Sequence, residues 1–121
     1  MVSVDGVPPG LRHLQGADQV RLKPKGSPEL VCVVDCSEFT RIGDIFPAGL
    51  LPDINIDHHI TNVNFARLNL VDPQAVATAQ MIAELLAVAG FPFPQSVAEA
   101  LLTGLITDTI GFRTSNITPA A

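Results

Sequence analysis

The sequence has few basic residues, few cysteines and no long apolar run, and each shortage excludes a class of protein. The seven Lys and Arg are scattered among twelve Asp and Glu, which gives a formal net charge of −5. Without a basic patch the chain cannot grip long nucleic acid through its phosphates, so we expect no long DNA among its partners. An anionic substrate would need metal ions or a local pocket.

Neither the number nor the spacing of Cys32 and Cys36 suits a disulfide framework or a zinc ribbon. Both lie in an apolar, strand-like stretch, so we expect reduced, buried thiols. No window approaches the roughly 20 apolar residues of a membrane span. The start of the chain also lacks the cationic head and apolar run of a secretion signal. We therefore expect a soluble, cytoplasmic protein with no membrane partner.

What the sequence does contain is enough apolar side chain to fill the core of one domain. Of its 121 residues 47% are hydrophobic, and the mean hydropathy is +0.36. One run, Leu30 to Val34, is apolar at every position, as in a strand buried on both faces of a parallel sheet. Further strands are predicted at Met1 to Val4, Ile54 to Ile56 and Ala66 to Val71.

Two helices are predicted in the second half of the chain. The first has Asp72-Pro73 as its N-terminal signal, runs from Gln74 to Ala89 and ends at Gly90. It is apolar on almost every side, so we expect it to be largely buried. The second opens with a capping box, Ser96 and Glu99, and runs to about Asp108.

Strands and helices that alternate predict an α/β fold, with a mainly parallel sheet and flanking helices. A short helical piece is also expected at Leu11 to Leu14.

Two carboxylates stand directly after predicted strands. Asp35 follows the run that ends at Val34, and Asp57 follows Ile56. In open parallel sheets ligands bind beyond the carboxyl ends of the strands, so the two side chains should share one cleft. A carboxylate there is costly to desolvate unless a positive charge compensates it.

A metal ion would compensate these carboxylates. His58 and His59 follow Asp57, and a mixture of carboxylate and imidazole suits Mn²⁺, Fe²⁺ or Zn²⁺. The alternative is that both histidines are hydrogen-bonded loop residues beside an Asp N-cap. Asp108 raises the same question, because a carboxylate near the C-terminus of a helix is unfavourable by about 0.3–1 kcal/mol. Either Arg113 or a shared metal ion would offset that charge.

Three segments resemble, in order, the second, third and fourth metal-ligand motifs of the DHH phosphoesterases: 33–37, 56–59 and 107–109. Within that family the nanoRNase branch, which combines oligoribonuclease and 3′-phosphoadenosine-5′-phosphate phosphatase activity, is the nearest resemblance. Further segments carry it, and the likeness covers essentially the whole chain: 5–8, 14–18, 35–38, 41–43, 69–73, 77–79 and 102–109.

The resemblance implies a site with two metal ions, which we take to be Mn²⁺. Asp35 is similar to the carboxylate that bridges the two ions, and His58 to a ligand of one of them. Asp108 resembles the remaining carboxylate ligand.

The resemblance also implies catalytic and substrate-binding residues. Asp57 would not touch the metal but would orient the residues of the site, and His59 would face the substrate phosphate. Arg113 and Asn116, in the loop after the fourth motif, are the expected further substrate contacts.

The activity that the resemblance implies is attack of a metal-held hydroxide on phosphorus. The expected substrates are short oligoribonucleotides or 3′-phosphoadenosine 5′-phosphate. Alternatives with the same chemistry are a cyclic-di-AMP phosphodiesterase and a family II pyrophosphatase. An alternative from another class is a non-catalytic module that binds a metal or a partner.

One departure from the family pattern is the lack of its first motif, His-x-x-x-Asp-x-Asp. The only early histidine is His13, and Ala17 and Gln19 stand where the aspartates should be. We therefore expect residues 1–121 to be a partial DHH domain, without the first strand and without the C-terminal DHHA1 domain, and ending where another helix should begin. Unpaired strand edges invite another chain, so a homodimer is among the expected partners. By itself this chain should be inactive or very weak.

Overall fold

The computed structural model describes residues 1–47 and 49–118, and its centre is a three-stranded parallel sheet. The strands are β1 (Cys32–Val34), β2 (Ile54–Asp57) and β3 (Leu68–Val71), hydrogen-bonded in the order β1-β2-β3. Both pairings are parallel, so the carboxyl ends of the strands lie at one edge of the sheet. The predicted α/β fold with a parallel sheet is confirmed.

Both α-helices follow the last strand. They are α1 (Thr78–Val88) and α2 (Gln95–Asp108), while 3₁₀ turns occupy Pro9–Leu11, Ala17–Gln19 and Phe39–Ile42. Helix α1 packs on β2, and α2 packs on α1. The two helices approach closely at Gly104, where a Cβ atom would lie 3.1 Å from the Cβ of Ala79.

The two faces of the sheet are covered differently. On one face Val33 lies in a core with Val31 and Cys36, against which loop side chains pack: Ile42, Phe46, Leu50 and Phe65. On the other face Val34, Ile56 and Leu70 are in register. That second face lies under the helices, since Leu70 lines a groove with Met81 and Leu85 of α1.

Three predictions about the strands are wrong. Residues 1–4 form no strand, since Val2 makes only an isolated bridge with Arg21. The run at Leu30 to Val34 is not buried on both faces, because Val33 is 7% exposed but Val34 is 45% exposed. Cys32 is likewise exposed, although Cys36 is buried, and both are free thiols. The physical reason is that β1 is an edge strand within the described residues, and the helices leave part of its outer face open.

The first helix also differs from its prediction. It begins at Thr78 rather than Gln74, because Asp72 accepts a hydrogen bond from the Gln74 N–H in a local turn and Ala77 is then extended. It ends at Val88, and Gly90, at φ 71°, turns the chain out of the helix. It is not largely buried, because only Thr78 and Met81 within it are buried and Val88 is 90% exposed.

The capping box predicted for the second helix is wrong as well. The helical hydrogen bonds already begin at the Pro94 carbonyl, which leaves Ser96 inside the first turn without a capping bond. The end of the helix at Asp108 is confirmed. The short helix expected at Leu11 to Leu14 is replaced by the 3₁₀ turn at Pro9–Leu11. No helix in the described part of the chain is long and apolar enough to cross a membrane. The further helix expected at the end of the chain falls on residues 119–121, outside the described residues.

Candidate metal centre

Asp35 and Asp57 lie side by side where β1 and β2 end. Asp57 is the last residue of β2, and the Asp35 N–H donates to the carbonyl of Ile56 over 2.9 Å. Asp35 adopts φ 56°, a left-handed conformation that is uncommon outside glycine but that Asp tolerates better than most residues. The turn ends the strand and leaves the Asp35 side chain 52% exposed beside the fully buried Asp57.

His58 presents one ring nitrogen to the backbone and the other to two carboxylates. Its Nδ1 atom is 3.2 Å from the carbonyl oxygen of Ala75. A carbonyl oxygen can only accept, so Nδ1 carries the hydrogen and the neutral ring has a lone pair on Nε2. That Nε2 atom lies 3.2 Å from Oδ2 of Asp108 and 3.7 Å from Oδ1 of Asp35. Three electron-pair donors therefore converge, and they need a proton or a metal ion between them.

Asp108 reaches this point as the last residue of α2. Its carboxylate, which is 38% exposed, faces His58 rather than a basic side chain. The alternative partner, Arg113, donates through Nε to the carbonyl of Ile110 at 2.9 Å. In residues 1–47 and 49–118 no ion pair joins Arg113 to Asp108. Within these residues Arg113 therefore does not offset the charge of Asp108.

His59 is fixed by the buried carboxylate of Asp57. Its Nδ1 atom lies 2.7 Å from Oδ1 of Asp57, and the Asn62 amide donates to Oδ2. Burial raises the pKa of the Asp57 carboxyl, but the hydrogen bonds from Asn62 and His59 and the charge of His59 outweigh it and hold the pKa below its usual value. Asp57 therefore remains an acceptor, which leaves Nε2 of His59 for another contact.

These side chains include a group that can hold a metal ion. Asp35, His58 and His59 each offer one ligand atom, and the three atoms lie within 4.8 Å of one another. Carboxylate oxygen with imidazole nitrogen suits Mn²⁺, Fe²⁺ or Zn²⁺. The His58 and His59 rings stand edge to face with centroids 4.8 Å apart, so His59 lies beside the candidate ligands, and its predicted substrate-facing role stays a prediction.

The family is decided by comparison with family models. Residues 2–105 match the model described as the DHH family, N-terminal domain. The match covers most of the chain and contains Asp35 and Asp57 with both histidines. The chain belongs to the DHH family.

Relatives of this DHH chain include a protein of Thermus thermophilus, the bifunctional oligoribonuclease and PAP phosphatase NrnA. The two are 39% identical over 103 residues, which is 85% of this chain but only 31% of the Thermus protein. An uncharacterized protein of Mycoplasma pneumoniae is 36% identical over 54% of this chain and 20% of its own length. The chain thus spans less than a third of these relatives.

A solved structure has the same fold. The exopolyphosphatase-related protein of Bacteroides fragilis superposes with a TM-score of 0.85 over 98% of this chain and 39% of its own. At 23% identity that likeness establishes the fold alone. The α/β architecture described above is therefore shared with that solved structure.

Three polar residues at this DHH site were missed by the sequence reasoning. Asn55, fully buried on β2, donates to the Cys36 carbonyl at 3.2 Å and accepts from Asn62 at 2.8 Å. Thr78, 5% exposed, donates to Oδ1 of Asp35 at 2.8 Å. An Asn that interrupts an apolar strand was a signal for Asn55, and Thr78 lies in the segment 77–79 that carries the family resemblance, whereas nothing local marks Asn62.

The expected substrate contacts Arg113 and Asn116 lie in the exposed loop after α2. Within the part of the chain that the structure describes, neither makes a hydrogen bond or an ion pair with Asp35, His58 or Asp108. Their assignment therefore stays a prediction.

Proposed function

We propose that the protein is a metal-dependent phosphoesterase in which Asp35, His58 and Asp108 ligate Mn²⁺. The arrangement of His58 carries this proposal. Its Nδ1 atom is held by a backbone carbonyl, while Nε2 faces the carboxylates of Asp108 and Asp35 at 3.2 and 3.7 Å. Two acidic groups and a lone pair that converge in this way suit a divalent cation.

In the proposed site Asp35, His58 and Asp108 would hold the metal ions, and other residues of this chain would orient the reacting groups. When bound, such ions lower the pKa of water and offset charge on phosphate oxygens. Asp57 fixes the ring of His59 through the 2.7 Å hydrogen bond. The free Nε2 of His59 then contacts a phosphate oxygen of the substrate, and Arg113 and Asn116 contact the substrate from the loop after α2.

The proposed substrates are short oligoribonucleotides or 3′-phosphoadenosine 5′-phosphate, in the cytoplasm. The Thermus relative, 39% identical, carries both activities in its name. The net charge of −5 and the scattered basic residues also favour small substrates over long nucleic acid, because little else attracts a polyanion.

We also propose that the site is completed by residues from outside this stretch of chain. Two ions need more ligands than one imidazole and two carboxylates supply, and the relatives are about three times longer. Further ligands would come from other parts of the protein or from a second copy in a homodimer.

The test is a hydrolysis panel with Mn²⁺ on the full protein, by which we mean this chain together with the residues that complete the site. The substrates are a two-nucleotide RNA, 3′-phosphoadenosine 5′-phosphate, cyclic di-AMP and pyrophosphate, and EDTA removes the metal from a parallel series. We expect the first two to be hydrolysed, and EDTA to abolish the reaction. Asp35→Asn should lower the rate of hydrolysis by more than the roughly 10–100-fold loss that follows when a residue hydrogen-bonded to a metal ligand is changed.

A matched control is Glu84→Gln, which removes one carboxylate from the exposed side of α1. It should leave the rates unchanged. If only cyclic di-AMP or only pyrophosphate is hydrolysed, that compound takes the place of the proposed substrates. Activity that survives EDTA, or that Asp35→Asn and Glu84→Gln affect equally, would contradict a metal site at Asp35.

A further inference from the structure

The segment 75–78, which ends the connection from β3 and begins α1, is buried at the candidate metal centre. Residues 75–78 are each at most 5% exposed, whereas connections ordinarily run over the surface. Two of its atoms contact candidate ligands. The carbonyl of Ala75 holds His58, and the hydroxyl of Thr78 donates to Oδ1 of Asp35 at 2.8 Å.

The hydroxyl of Thr78 does not cap the helix that this residue begins. A capping hydroxyl stands at the N-cap, one residue earlier, where this chain has Ala77. Ala77 is extended, at φ −160° and ψ 153°, which makes Thr78 the first residue of α1, and this helix start has no side-chain cap. The hydroxyl instead donates to a carboxylate 43 residues earlier in the chain.

The Asp35 carboxylate has little else to fix it. Its side chain is 52% exposed, and His58 is 3.7 Å away, beyond hydrogen-bond distance. Among residues 1–47 and 49–118, Thr78 makes the one hydrogen bond that this carboxylate accepts. A half-exposed side chain without that bond would exchange between rotamers, and ordering it for a metal ion would cost entropy.

We propose that Thr78 is a positioning residue, whose hydroxyl sets the carboxylate of Asp35 for metal binding. The inference rests on the proposed function, because it assumes that Asp35 ligates the metal. Thr78 donates to one oxygen and holds the carboxylate in one rotamer, and each carboxylate oxygen has a further lone pair for an ion. Residues that hydrogen-bond to metal ligands commonly contribute to metal affinity in this way.

The competing explanation is that Thr78 only fills space at a buried helix start. Its methyl group and its hydroxyl can be tested separately. Thr78→Val keeps the shape and removes the hydroxyl, whereas Thr78→Ser keeps the hydroxyl and removes the methyl group. Thr78→Ala also removes the hydroxyl and favours the helix, so it serves if the valine variant does not fold.

The experiment measures Mn²⁺ affinity of the full protein by electron paramagnetic resonance, with thermal melts as the folding control. We expect the dissociation constant to rise about 10–100-fold in Thr78→Val and in Thr78→Ala. In Thr78→Ser it should remain within about threefold of the parent, since the hydroxyl donor is retained. The melts of the folded variants should be similar without metal.

The outcomes separate this inference from the function on which it rests. If the parent binds Mn²⁺ and loses it in Asp35→Asn, but the valine and alanine variants bind like the parent, the positioning role is wrong and the metal site remains. Equal weakening by valine and serine would assign the effect to packing and overturn the role of the hydroxyl. A parent that binds no Mn²⁺ would overturn the proposed metal site, and the role of Thr78 with it.

Discussion

The residue with the most demanding environment is Asp57, which is fully buried and ionised at the end of β2. A buried carboxylate is stable only when donors surround it, and here His59 and Asn62 supply them. The same amide nitrogen lies 2.8 Å from Oδ1 of Asn55 and 3.2 Å from the carbonyl oxygen of Cys36, so its two N–H groups are shared among three acceptors and link the ends of β1 and β2. One loop side chain therefore satisfies the charge and joins the segments that carry the candidate ligands.

We predict that Asn62→Ala lowers the free energy of unfolding by about 2–3 kcal/mol, because it leaves a buried charged acceptor short of a donor. The matched control is Thr61→Ala, an exposed neighbour, which should stay within about 0.5 kcal/mol of the parent. Urea denaturation without metal measures both. Equal effects of the two changes would show that the amide of Asn62 is not needed by Asp57.

Part of this centre follows from the sequence, and the rest does not. Asp35, Asp57 and His58 could be placed together because the ends of parallel strands meet at one edge of a sheet. Asn62 and Thr78 could not, because their roles depend on side-chain contacts across 5 and 43 residues of chain that no local pattern encodes.

At the scale of elements, the start of α1 shows where tertiary contacts override local pattern. Asp72-Pro73 and the apolar run after it favour a helix from Gln74, but helical geometry begins only at Thr78. Residues 75–77 are more deeply buried than most of the helix, and the carbonyl of Ala75 contacts His58. The positions of β1, β2 and β3 were predicted better, since apolar residues mark them locally, β-branched ones in β1 and β2.

We predict that Val76→Ala in this connection is far more damaging than Val88→Ala in the helix itself. Val76 is 2% exposed and Val88 is 90% exposed. The first change should cost about 2 kcal/mol through lost burial and a residual cavity. The second should stay within about 0.5 kcal/mol. Chemical denaturation compares them, and a larger effect at Val88 would favour the largely buried helix that the sequence alone predicts.

At the scale of the whole molecule, the candidate metal centre joins elements that are distant in sequence. Asp35 follows β1, His58 follows β2 and Asp108 ends α2, and all three meet around one imidazole nitrogen. Within the described residues no Lys or Arg forms an ion pair with Asp35 or Asp108, so their convergence is unfavourable unless a proton or a metal ion joins them. Metal binding and folding should therefore be coupled, because the unfolded chain has no such group of ligands.

We predict that Mn²⁺ raises the melting temperature of the full protein and that EDTA reverses the rise. At a metal concentration 100 times the dissociation constant the gain is about 2.7 kcal/mol, because only the folded state binds. For a folding unit of this size that corresponds to a rise of about 10 °C. The response should disappear in Asp35→Asn and persist in Glu84→Gln, which removes the same charge away from the site. Equal rises in both variants would mean that Mn²⁺ acts on the acidic surface in general, since only binding at the strand ends distinguishes the two carboxylates.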